Sequence, residues 1–219
     1  LSRRAPGEAP PALWDALVTT IDRAERALML AAGVAVEATA PRATFPVREA
    51  VKRLSDEHLV DVVAQSGTRA SKMDRKAIEE SFLIRRALEM ESAAQAAEHM
   101  NQEHADRLHD ILARHERAVE KRLFGEAIAQ DDAFHHAITE ISNLPRVWST
   151  IEISKAQLDR CRHMMLPRAG QAEATLEQHR EIIRGLNSRD PAKAAAAMKA
   201  HLDSAYRSTV AVLDGPGLS

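Results

Sequence analysis

Apolar residues recur at three- and four-residue spacings along most of the chain, and that rhythm predicts a mostly α-helical protein. Leu13, Trp14, Leu17, Val18 and Ile21 make the first such stripe, after an arm over residues 1–11 that holds three prolines and is expected to be flexible. Residues 27–40, rich in Ala and Val, carry a weaker one. Beyond Pro41, Thr44 is placed to cap a helix and Pro46 to sit in its first turn, where a missing N–H is harmless. Val47, Ala50, Val51 and Leu54 then line one face and leave Arg48, Lys52 and Arg53 on the other. The rhythm changes at Leu59-Val60-Asp61-Val62-Val63, a β-branched run. A turn at Gln65–Thr68 and a short return past Arg69 make it a hairpin. Helices followed by a small hairpin within about 70 residues outline a winged helix-turn-helix.

From Ser71 onward no segment reads as a strand. Ser71 and Asp74 have roughly capping-box spacing and open an amphipathic stretch to about His99. Further helices are expected at 102–122, 125–142, 145–165, 171–187 and 191–212, punctuated by Asn143–Pro145, Pro167–Gly170 and Ser188–Pro191. The chain thus divides into a winged helix-turn-helix at 1–70, an all-α bundle at 71–213 and a tail at 214–219.

Composition narrows the class further. With 45% hydrophobic, 28% charged and only 3% aromatic residues, the chain has the balance of a soluble helical protein. No apolar run approaches the ~20 residues needed to cross a bilayer, and the first residues do not lead into the apolar core of a secretory signal. One cysteine, Cys161, excludes an intrachain disulfide framework and fits a cytoplasmic setting; it reads as a small buried hydrophobe. The net charge is −2. Residues 1–70 hold nine Lys/Arg and nine Asp/Glu, so DNA binding there would depend on how charges are segregated.

Two constellations carry chemistry. Arg42, Thr44, Arg48 and Lys52 lie where a recognition helix meets base edges and phosphates, and Gly67, Thr68 and Arg69 lie at the hairpin tip. The alternative is a solvated basic face. Asp131 and His135, four apart, share one helix face. His179 falls on the stripe Leu176, Ile182/Ile183, Leu186, and His201 on the stripe Ala194, Ala197/Met198, Ala205. Three inward imidazoles and a carboxylate suit a divalent transition metal, with zinc first among zinc, nickel, manganese and iron. Against this stands the reading of each histidine as a separately satisfied core residue. Arg85 and Glu89 form an i, i+4 pair, read either as a structural ion pair or as a pocket arginine gripping a carboxylate. His99, His104, His109 and His115 sit among charges and are read as solvated; His136 points away from His135, and His163 is surface or pocket rim. A helical-bundle metalloenzyme using the same Asp/His set is the competing function, with Asp132 or Glu181 as general base. No Gly-rich phosphate loop or Ser–His–Asp context is present.

Taken in order, these residues resemble the GntR family of bacterial regulators, in the branch with an FCD-type (FadR C-terminal) effector domain. The landmarks are Pro46-Val47-Arg48-Glu49-Ala50, Leu54, His58-Leu59-Val60 and Gly67-Thr68. They continue with Arg85-x-x-Leu88-Glu89, Asp131-x-x-Phe134-His135, Asn143-x-Pro145, His179 and His201-Leu202. Three positions depart from the family pattern: Thr44 stands for an Arg, Phe45 for a Thr and His58 for a Gly. The resemblance implies a homodimer on a two-fold operator, with Asp131, His135, His179 and His201 as metal ligands. It also implies a small organic or sugar acid as effector, completing the metal's coordination, with Arg85 or Arg162 neutralising its carboxylate.

Overall fold

The structure, a computed structural model, describes residues 51–52, 54–56, 59–63, 67–166, 168 and 170–214. The expected helices at 13–21 and 27–40, and Arg42, Thr44 and Arg48, lie outside the described residues. The chain divides into two compact units, Leu1–Lys72 and Met73–Ser219.

In the first unit, residues 51–52 and 54–56 are helical, with Lys52 exposed and Leu54 half-buried. The Leu59 amide donates to the Leu54 carbonyl (2.8 Å), bringing the chain into β1 (Val60–Val63). An antiparallel partner, β2 (Gly67–Ala70), pairs Val60 with Ala70 and Val63 with Gly67. That register leaves three residues for the connection. Gly67, Thr68 and Arg69 therefore belong to a strand, which corrects the expectation of a turn at Gln65–Thr68 with these residues at its tip.

The second unit is all helical among the described residues: α1 (Arg75–His99), α2 (Gln102–Glu120), α3 (Phe124–Ile141), α4 (Pro145–Ser154), α5 (Ala156–Met165), α6 (Gln171–Asn187) and α7 (Pro191–Leu213). Asp74 caps α1: its carboxylate accepts from the Lys76 amide (2.9 Å), and the helix begins at Arg75 and not at Ser71. Asn101 and Asp190 cap α2 and α7 in the same way. The chain leaves α3 through Asn143 at φ 61°, a conformation Asn tolerates, with Pro145 opening α4.

The single helix expected over 145–165 is two. Neither Gly nor Pro marks the break at Lys155. The Ser154 carbonyl accepts from the Ser81 hydroxyl of α1, and the buried Lys155 ammonium reaches Asp132 and Asp159. Tertiary partners, not local sequence, end α4.

The main core joins Ala93, Ala96 and Ala97 of α1 to Leu108 and Leu112 of α2, Phe134 and Ile138 of α3, Ile182 and Leu186 of α6, and Met198 and Leu202 of α7. A second cluster sets Ile78 and Phe82 against Leu158 and Cys161, with the Phe82 ring edge-on to Tyr206 at 5.2 Å. Burial pushes the Cys161 thiol up to about 11, so it stays a neutral packing group. No helix among the described residues is long and apolar enough to cross a membrane.

Helices α6 and α7 approach closely at Gly185, where an added Cβ would lie 3.1 Å from the Ala194 Cα. Gly185→Val is expected to lower stability by about 1–3 kcal/mol in urea unfolding. Gly125→Ala, in the open first turn of α3, is expected to raise it by up to about 1 kcal/mol, since nothing lies within 4 Å of the added atom. Equal effects at the two sites would contradict the close approach.

Candidate metal centre

Helix periodicity delivers four ligating groups to one point. Asp131 and His135 stand one turn apart on α3, His179 comes from α6 and His201 from α7, and all four are buried. One ligating atom from each lies within 4.8 Å of the others. Metal bonds of about 2.0–2.2 Å, end to end, span most of that distance. The three imidazoles surround a common centre, with ring centroids 5.0 to 5.5 Å apart. Phe134 stacks on His179 at 4.1 Å and fixes that ring.

Outer partners orient the rings. The His201 Nδ1 lies 2.9 Å from Gln178 Oε1, an acceptor only, so Nδ1 donates and the lone pair sits on Nε2. Glu89 Oε2 abuts His135 Nδ1, while its Oε1 accepts from Arg85 Nε at 2.5 Å. This is the carboxylate–histidine arrangement that steadies metal-binding imidazoles. His179 Nε2 lies 3.2 Å from Asp131 Oδ1.

Charge is arranged as a metal requires. Burial lowers the affinity of His179 and His201 for a proton, and for His201 the neighbouring imidazoles add to that effect. Burial also disfavours the Asp131 carboxylate, but the Arg162 guanidinium, with help from His179, holds it well below the usual range. Arg162 donates to Asp131 and, through Nη1, to Asp132 at 2.7 Å and Asp159 at 3.1 Å. Lys155 bonds the same two, Asp132 at 2.7 Å and Asp159 at 2.8 Å. His179 and His201 with lowered proton affinity and an ionised Asp131, with both ring nitrogens of His135 and His179 lacking a well-formed hydrogen bond, fit a divalent transition ion.

A cavity of about 50 Å³ adjoins these groups, bordered by Arg85, His115, Asp131, Arg162, Gln171 and His201, with Phe82, Leu158 and Met165 among its apolar walls. Both arginines singled out in the sequence are there, but each is already paired. For Arg85 the structural ion-pair reading describes the geometry.

His115 corrects a sequence expectation. It is buried, not solvated, its ring 5.4 Å from that of His179, with no hydrogen-bond partner at either nitrogen. Burial lowers its pKa to about 4. The signal was present: Leu108, Ile111, Leu112, Ala118 and Val119 place His115 on the apolar stripe of α2, the criterion that selected His179. His99 and His109 are exposed and His104 and His163 half-buried.

The family model of the FCD domain matches residues 80–204, over half the chain. The HTH-type transcriptional repressor RspR of Escherichia coli (strain K12) is 31% identical over 157 residues, 72% of this chain and 69% of RspR. The chain belongs to the FCD-domain family of transcriptional regulators. An HTH-type transcriptional regulator of Streptomyces ambofaciens is 30% identical over 195 residues, 87% of this chain and 79% of that protein. Among solved structures, E. coli McbR/YncC matches with a TM-score of 0.71 at 20% identity, covering 90% of this chain and 99% of its own. A GntR regulator from Rhodococcus sp. RHA1 matches at 0.65 and 18% identity, over 91% and 94%. This FCD-family chain shares their fold, which is mostly α, with an all-α bundle over the described residues from Arg75 to Leu213. The metalloenzyme alternative is not favoured: its relatives are regulators, Asp132 is held by Lys155 and Arg162, and Glu181 is exposed against Arg184.

Glu89→Gln tests the outer partners. It is expected to weaken zinc binding roughly 10- to 100-fold in equilibrium dialysis. It should also lower stability by about 3 kcal/mol, because Arg85 keeps a buried charge without its counter-ion. Unchanged zinc affinity would mean that Glu89 does not position His135.

Proposed function

We propose that this regulator is a metal-assisted acid sensor that binds operator DNA as a homodimer in the cytoplasm. Asp131, His135, His179 and His201 hold a divalent ion of the zinc, nickel, manganese or iron type. Such an ion offers further coordination positions to the oxygens of a small organic or sugar acid lodged in the adjoining cavity. Arg85 and Arg162 set the charge of that cavity. The observation that supports this reading best is the convergence of four buried ligating groups beside a cavity, in a domain whose named relatives are transcriptional regulators. Residues 1–70 form the DNA-binding part and 71–213 the sensing part, with 214–219 a tail. Arg42, Thr44, Arg48 and Lys52 contact the major groove and its phosphates, and Gly67, Thr68 and Arg69 place the wing against the backbone. The acid acts by binding one arrangement of the dimer more tightly than another.

Two experiments test the reading. His135→Ala combined with His179→Ala is expected to leave no bound transition metal by elemental analysis, and metal kept at full stoichiometry would overturn the ligand assignment. Arg48→Ala is expected to weaken operator binding about tenfold or more in fluorescence anisotropy while metal content stays unchanged. Unchanged DNA affinity would remove Arg48 from the interface.

A further inference from the structure

Two guanidinium groups border the cavity, and the charge of each is already balanced by buried carboxylates. Arg85 is paired with Glu89, and Arg162 with Asp131, Asp132 and Asp159. Lys155 reaches Asp132 and Asp159. His135, between Glu89 and Asp131, joins the two groups into one network. It contains four carboxylates and three cations, hence one net negative charge. Imidazoles neutral enough to bind a metal add nothing. A divalent ion on the four ligands turns the balance into one net positive charge.

Buried sites tolerate little uncompensated charge. One carboxylate from a ligand cancels what remains, and a second finds no cation. Beyond the metal-site groups and the two arginines, the cavity's polar groups are neutral: the His115 imidazole, whose two nitrogens have no hydrogen-bond partner, and the side chains of Gln171, Thr175 and Thr209. Its volume, about 50 Å³, is small beside the several hundred of a pocket for drug-sized ligands.

We infer that the cavity selects a small acid with one carboxylate and otherwise neutral polar groups, and rejects acids with two or three. The inference rests on the proposed reading of the site as a metal-assisted acid sensor.

Isothermal titration calorimetry of the zinc-loaded chain compares one charge with two on the same skeleton: succinamate against succinate, and malonamate against malonate. The monoamides are expected to bind at least about tenfold more tightly than the diacids. Asp132→Asn takes one carboxylate from Arg162 and is expected to narrow or reverse that ratio. Zinc content measured alongside reports whether the site is intact. Diacids that bind the unaltered chain as tightly as the monoamides overturn the charge rule and leave acid sensing standing. So does a ratio unmoved by Asp132→Asn with zinc retained. If the variant loses zinc, the comparison on the unaltered chain decides alone. If no acid of either kind binds while zinc is held at full stoichiometry, the acid-sensing reading falls and this inference with it.

Discussion

Arg162 is the fixed point of the bundle. Its guanidinium, buried at the junction of α5 and α3, carries Asp131, Asp132 and Asp159, and no arrangement that strips it of those partners is affordable, because an unpaired buried charge destabilises by several kcal/mol. The requirement propagates outward. Asp131 must face α5, which places its neighbour one turn on, His135, towards α1 and α7. Lys155 shares two of the same carboxylates, and the break between α4 and α5 lets its ammonium reach them.

The same network separates the titrating groups by type. Burial by itself would neutralise acids and bases alike. Here Asp131 stays ionised because the Arg162 guanidinium lies against it, while burial keeps protons off His179 and His201, whose rings pack against one another. Lone pairs and negative charge therefore point at one place without protons in the way. Glu89 and Gln178, one step further out, decide which nitrogen of the His135 and His201 rings faces inward.

Much of this was legible from the chain alone where periodicity carried it. Asp131 and His135 follow from an i, i+4 spacing, and His179 and His201 from their places on apolar stripes. His115 obeys the same rule, yet the charges around it, Arg114, Glu116 and Arg117, hide its stripe. Lys155 and Asp159 are visible as a helical pair, but their link to Asp132 spans two helices and leaves no local mark. The α4–α5 break is illegible for that reason: it depends on Ser81, 73 residues away, and on a carboxylate of α3. In the hairpin the β-branched run located β1, while the connection was drawn too far along because Gly67-Thr68 has the composition of a turn and the pairing of a strand.

Helix α1 runs unbroken for 25 residues from Arg75 to His99, and Glu89 grips His135 from partway along it. At 1.5 Å per residue, about 21 Å of stiff helix separates that grip from the Arg75 end. A tilt of about 5° around Glu89 thus swings Arg75 by roughly 2 Å, the scale of helix shifts in known switching proteins. The ion pair that steadies one imidazole is in this sense the fulcrum of a lever, and the length of α1 sets its mechanical gain.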